Sequence, residues 1–276
     1  MLHITHHSTL TTQHSTLKQM NRIQTTFQNK NILNVYTTAG YPQLNDTVTI
    51  VQELAANGVD MVEIGMPFSD PLADGPTIQH SSEVAIKNGI TLNLIFQQIQ
   101  EIRKTVDIPI MLMGYFNQLL QYGVARFLQK AAHVGVDGLI IPDLPLDVYQ
   151  VEYKGLVEKY GLKMSFLITP QTTEKRIQLL AKESTAFLYV VSSFAITGGK
   201  SGIEDYQTEY FKKIASLPIK TPQLIGFGIS NKQTFDTACQ YANGAIIGSA
   251  FIKALGNSQH LKETINEFVK QVKGDE

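Results

Sequence analysis

From Ile32 onward the chain alternates between two rhythms of apolar residues. Short, nearly continuous apolar runs rich in β-branched residues occur at Ile32–Thr37, Met61–Ile64, Ile108–Met113, Gly138–Ile141, Lys163–Ile168, Ala186–Val191, Gln223–Gly226 and Ala245–Gly248. Runs of that length and continuity predict parallel strands buried on both faces. Between them the apolar positions recur at helical spacing, over Asp46–Asn57, Thr91–Thr105, Val124–Val134, Val148–Tyr160, Glu174–Ser184, Tyr206–Ser216 and Lys232–Ala242. Several of these segments open with a capping residue: Asn45 or Asp46, Thr91, Thr172 or Thr173, and Asn231. Others close at a glycine, Gly58 or Gly135. Eight strands alternating with helices predict an α/β chain folded as a single-domain (β/α)8 TIM barrel. Pro76–Asn88 reads as an extra short helix after strand two. A doubly wound open sheet is the competing architecture. It wants a G-x-G-x-x-G turn after the first strand, where this chain has Thr38-Ala39-Gly40-Tyr41-Pro42.

A barrel presents its chemistry at the carboxyl ends of its strands, which singles out the run from Val62 to Thr77. Glu63 interrupts an apolar strand between Val62 and Ile64, and Asp70 and Asp74 follow on a loop stiffened by Pro71 and Pro76. An inward carboxyl group among apolar neighbours loses solvation, which raises its pKa and suits it to exchange protons near neutrality. The structural alternative is a Glu paired with Arg or Lys, yet no basic residue ends any predicted strand. Asp70 reads as turn chemistry, since Asp is at home before Pro. Asp74 reads equally as a turn residue or as a group that orients substrate. Asp70, Asp74 and Asp143 also admit a divalent-metal reading.

Gly226-Phe227-Gly228 follows strand seven directly, and Gly248-Ser249 ends strand eight and opens a short helix. Glycine turns at those two positions are the usual barrel phosphate site, where backbone N–H groups and a helix N-terminus face the anion. The substrate expected is therefore a small phosphorylated molecule. A long segment of small residues, Ser192–Gly202, follows strand six and reads as a lid.

Composition narrows the remaining classes. The chain has 276 residues, a mass of 30.7 kDa and a formal net charge of -1 with pI about 6.7, which gives no basic surface for nucleic acid. Its one cysteine, Cys239, rules out an intrachain disulfide and fits a cytoplasmic setting. No apolar run is long enough to span a bilayer. Residues 1–19 are rich in Thr, Ser and His, without the apolar stretch of a secretory signal or the arginines of a transit peptide. They are read as a disordered or non-native extension, with Met20 a natural second start, and residues 20–276 as the catalytic domain.

The four regions together, and above all the run around Glu63, resemble the tryptophan synthase alpha chain, in one order from Phe27 to Lys273. The resemblance implies a (β/α)8 barrel that cleaves indole-3-glycerol phosphate to indole and glyceraldehyde 3-phosphate by a retro-aldol step. It implies Glu63 and Asp74 as the catalytic pair. It implies substrate contacts at Phe27, Tyr115, Tyr189, Thr197, Gly198, Gly226, Phe227, Gly228, Gly248 and Ser249. No metal or organic cofactor is implied in this chain. The implied partner is a beta chain carrying pyridoxal phosphate, in an αββα complex that receives the indole, with Asp70 and Pro71 at the contact. One departure stands out: many members have Arg-Ala-Gly in the lid where this chain has Ser193-Phe194-Ala195.

Three other functions compete. A Schiff-base aldolase needs a lysine at a strand's carboxyl end, but Lys163 begins its strand and Lys200 lies out in the lid segment. An indole-glycerol-phosphate synthase shares the phosphate turns but should carry catalytic lysines instead of the Glu63–Asp74 loop. A catalytically weak barrel that only activates a partner predicts decayed carboxylates, and both are present.

Overall fold

In a computed structural model, which describes residues 21–192, 205–226 and 228–274, the eight runs form one closed parallel barrel in chain order. Its strands are β1 (Ile32–Thr38), β2 (Met61–Gly65), β3 (Ile110–Met113), β4 (Gly138–Ile140), β5 (Lys163–Ile168), β6 (Leu188–Val191), β7 (Gln223–Gly226) and β8 (Gly244–Ile247). β1 closes the ring by pairing with both β2 and β8. The strand expected from Ile108 begins at Ile110, because Pro109 has no N–H to give the ladder. The eighth strand stops at Ile247, which leaves Gly248 as the cap of the next helix.

Strand alternation divides the apolar residues between two cores. Leu33, Val35, Val62, Ile64, Leu112 and Ile247 face outward into a core shared with the helices. Ile32, Met61, Met111, Ile140, Leu224 and Ile246 face inward and fill the barrel. Glu63 lies between two outward residues of β2, so it takes an inward position.

The helices follow the expected segments closely. Pro76–Lys87 is the extra helix after β2, moored to β1 by a 2.7 Å hydrogen bond between the hydroxyls of Thr38 and Ser81. The expected Val148–Tyr160 helix forms as Leu146–Val148, a π turn over Tyr149–Tyr153, and Lys154–Lys159. Three helices add to the expected set: Arg22–Thr26, Phe116–Tyr122 and Leu261–Lys273. The last carries a legible apolar stripe, Ile265, Phe268, Val269 and Val272. The first closes the amino-terminal end of the barrel. Its Ile23 enters the inner core, and Arg22 pairs with Asp107 and Asp137, which sit just before β3 and β4. The 1–19 segment and residues 193–202 of the expected lid lie outside the described residues. Among the described residues no helix is long and apolar enough to cross a membrane.

Candidate active site

β1 and β2 pair in register so that Tyr36 stands beside Glu63. Gly65 makes that packing possible, because any side chain there would collide with the Tyr36 phenol. Glu63 is fully buried. The Asn34 side-chain amide donates to Glu63 Oε1 at 2.7 Å, and Oε2 has no hydrogen-bond partner. Among the described residues no Lys, Arg or His forms an ion pair with it. Burial therefore dominates and pushes its carboxyl up to about 8, against the smaller opposing effect of the Asn34 hydrogen bond.

Asp74 approaches from the loop after β2. The Tyr115 hydroxyl donates to Asp74 Oδ2 at 2.9 Å, and the Ala73 N–H donates to the Tyr115 oxygen at 2.9 Å. Gln79, one turn into the following helix, donates to the Asp74 carbonyl at 2.9 Å and holds the loop down. Burial raises the Asp74 carboxyl, while the Tyr115 hydrogen bond works the other way. Phe68 stacks on Tyr115 with ring centroids 5.0 Å apart. A small pocket opens here, lined by Tyr36, Met66, Asp74, Met113, Gly114 and Tyr115. Tyr189 reaches the same interior from β6. It is buried, and its phenol stays protonated well above the usual range through burial and the nearby Glu63 and Asp74. Gly226 on β7 leaves the space that the Tyr189 hydroxyl occupies.

The structure thus brings Glu63, Asp74, Tyr115, Tyr189 and Gly226 to one end of the barrel. Gly228, with a positive φ of 77°, turns the chain after β7 beside Ser192 and Gln207. Gly248 caps the helix Ser249–Gly256, whose first turn has no side-chain cap, and Ser249 is exposed there. These turns present the backbone donors that an anion needs. Thr197, Gly198 and Phe227 lie outside the described residues.

Phe27 does not join this group. It precedes β1, packs on Phe187 with centroids 6.1 Å apart, and so lies at the amino-terminal end of the barrel. The ring that β1 contributes to the pocket, beside Tyr115, is Tyr36, which the sequence motifs do not single out. Its signal was the alternation Asn34, Tyr36, Thr38 on one face of β1. Asp70 accepts from the Ser69 hydroxyl at 2.5 Å and Asp143 from the Phe116 N–H at 2.9 Å, so the three loop carboxylates each turn to a separate partner. Among the described residues no three His, Cys, Asp or Glu side chains gather to hold a metal.

A family model described as "Tryptophan synthase alpha chain" matches residues 23–275. The chain belongs to this family. The tryptophan synthase alpha chain of Flavobacterium johnsoniae is 57% identical over 255 residues, covering 92% of this chain and all of that one. The solved tryptophan synthase alpha subunit of Pyrococcus furiosus is 31% identical with a TM-score of 0.83, covering 90% of this chain and 99% of its own. A chain of the tryptophan synthase complex from the same organism matches at 30% identity and a TM-score of 0.82, over 90% and 99%. An alpha chain of this family is a carbon–carbon lyase of tryptophan biosynthesis, and its reaction is the cleavage of indole-3-glycerol phosphate.

Proposed function

We propose that Glu63 and Asp74 carry out the retro-aldol cleavage of indole-3-glycerol phosphate to indole and glyceraldehyde 3-phosphate in this chain. The observation that carries the assignment is the buried, cation-free carboxyl group of Glu63 beside a pocket that holds Asp74. Cleavage requires a proton at C3 of the indole ring and the loss of a proton from the hydroxyl on the adjoining carbon. The electrons of the broken C–C bond return to the ring, and the hydroxyl-bearing carbon becomes the aldehyde. The ionised carboxyl group of Glu63, titrating near neutrality, takes the hydroxyl proton and hands it to C3, so the carboxylate is regenerated in each turnover. Asp74, steadied by Tyr115, accepts a hydrogen bond from the indole N–H and stabilises the protonated ring. Tyr36, Tyr115 and Tyr189 bound the ring site. Gly198, Gly226, Gly228, Gly248 and Ser249 hold the phosphate, Thr197 is the lid threonine that meets Asp74 on closure, and Phe227 adds a further substrate contact.

The catalytic domain spans residues 20–276 and works in the cytoplasm. The chain needs no cofactor of its own. Its partner is a beta chain that carries pyridoxal phosphate and receives the indole in an αββα assembly. Support comes from apolar side chains left exposed on segments that follow adjacent strands: Leu72 after β2, Leu120 after β3 and Val151 after β4.

Indole release by the purified chain, alone and with a beta chain added, tests this reading. Slow cleavage that accelerates with the partner is expected, with a rising limb of kcat/KM near pH 8. Glu63→Gln should abolish cleavage while the fold remains. An active Glu63→Gln enzyme, or a folded wild type with no cleavage under either condition, overturns it.

A further inference from the structure

We propose that Asn34 is a positioning residue for Glu63: its amide N–H holds Oε1 as a fixed acceptor and leaves Oε2 as the oxygen that gives and takes the proton. The inference rests on the assignment of Glu63 as the acid–base group. Asn34 lies on β1 and Glu63 on β2, both fully buried, and the amide nitrogen stands 2.7 Å from Oε1. An amide N–H facing Oε1 disfavours a proton on that atom, because donor would then meet donor. Oε2 has no protein partner to compete with a substrate. The Asn34 carbonyl oxygen is also unpaired in the interior, so the amide spends its one buried hydrogen bond on Glu63.

Asn34 supplies the side-chain hydrogen bond that acts on the Glu63 carboxyl, and the other titratable groups around it act through charge. They are Tyr36 on β1, Tyr189 on β6, and Asp74 and Tyr115 in the mouth. Both of the tyrosines that interact with Glu63, Tyr36 and Tyr189, are driven further toward the neutral form by its charge, and Asp74 is a second acid. Asn34 is thus the neutral donor that favours the ionised carboxylate, which lets Glu63 recover its base form after each proton delivery. Removing a hydrogen bond to a buried charge should raise the pKa of that group by about one unit.

The test uses the whole chain in three variants, Glu63→Gln, Asn34→Leu and Asn34→Asp. It measures the pH profile of indole release and the titration of the Glu63 carboxyl carbon by 13C NMR. Asn34→Leu should move the rising limb and the carboxyl titration up by about one pH unit. Below the limb kcat should fall about tenfold, with recovery at high pH and KM little changed. Asn34→Asp is nearly isosteric and sets a second acid against the first, so it should raise the limb further. It also serves if leucine does not fit. A uniform loss of activity with an unmoved limb marks a purely structural role and overturns the inference. Activity retained in Glu63→Gln would instead remove the acid–base assignment itself, so the two failures are distinct.

Discussion

At the scale of single residues, Glu63 ties function to stability. Its carboxyl titrates near 4.5 when exposed in the unfolded chain and near 8 in the fold. Below the lower value it is protonated in both states and imposes no electrostatic penalty. Between the two, only the unfolded chain ionises, so the fold loses stability as pH rises, and above the upper value the full penalty is present. Glu63→Gln removes that penalty. The melting temperature of the variant relative to wild type should therefore climb between about pH 5 and pH 8 and then level off. A difference that stays flat with pH would mean that Glu63 is solvated rather than buried. Such an excess stability of the neutral variant is the usual sign of a group kept for activity at the expense of the fold. Glu63 was legible in the sequence, because a carboxylate inside a short apolar strand is rarely tolerated without a use. Phe27 was misread and Tyr36 overlooked for the opposite reason. An aromatic residue beside β1 reads the same whether it lies at the bottom of the barrel or at its mouth.

At the scale of elements, the phosphate end depends on where β8 stops. With Gly248 as cap, Ser249 becomes the first residue of a helix whose leading N–H groups lack a side-chain partner. Aspartate there would complement the helix dipole and compete with an anionic ligand. Ser249→Asp should consequently leave thermal stability unchanged or slightly higher while raising KM about tenfold or more, a loss of about 1.4 kcal/mol in binding per factor of ten. Unchanged KM in a folded variant would remove the phosphate assignment. Most elements were legible within a residue or two, since strand and helix periods are local. The helices Arg22–Thr26 and Phe116–Tyr122 were not expected, because five and seven residues are too few to establish a helical period. Both are set by tertiary contacts. Arg22 reaches residues 85 and 115 positions away, and Phe116 is held by Asp143.

At the scale of the whole molecule, the barrel has two cores, and the amino-terminal helix completes the inner one. That makes the Arg22–Thr26 helix part of the fold. A chain starting at Met20 should match the full-length protein in denaturant midpoint and in indole release. Removal through Phe27 should cost on the order of 3 kcal/mol, because it takes Ile23 out of the inner core and leaves the buried Asp137 with one cation fewer. Equal stability of both shortened chains in guanidinium would contradict the closing role of the Arg22–Thr26 helix.

The alternation of strands and helices, the barrel they make, the strand that carries a carboxylate and the glycine turns that suit a phosphate can all be read from the order of residues alone. All of these are properties of segments a few to a dozen residues long, where periodicity and turn chemistry act. Which groups meet is set by the folded barrel. The pairing of Tyr36 with Glu63 depends on the β1–β2 register. The grip of Asn34 on Glu63 spans 29 residues, and that of Tyr115 on Asp74 spans 41. Such contacts arise when the ring closes and inward positions from different strands are forced into one interior. No local pattern records which of them face each other there.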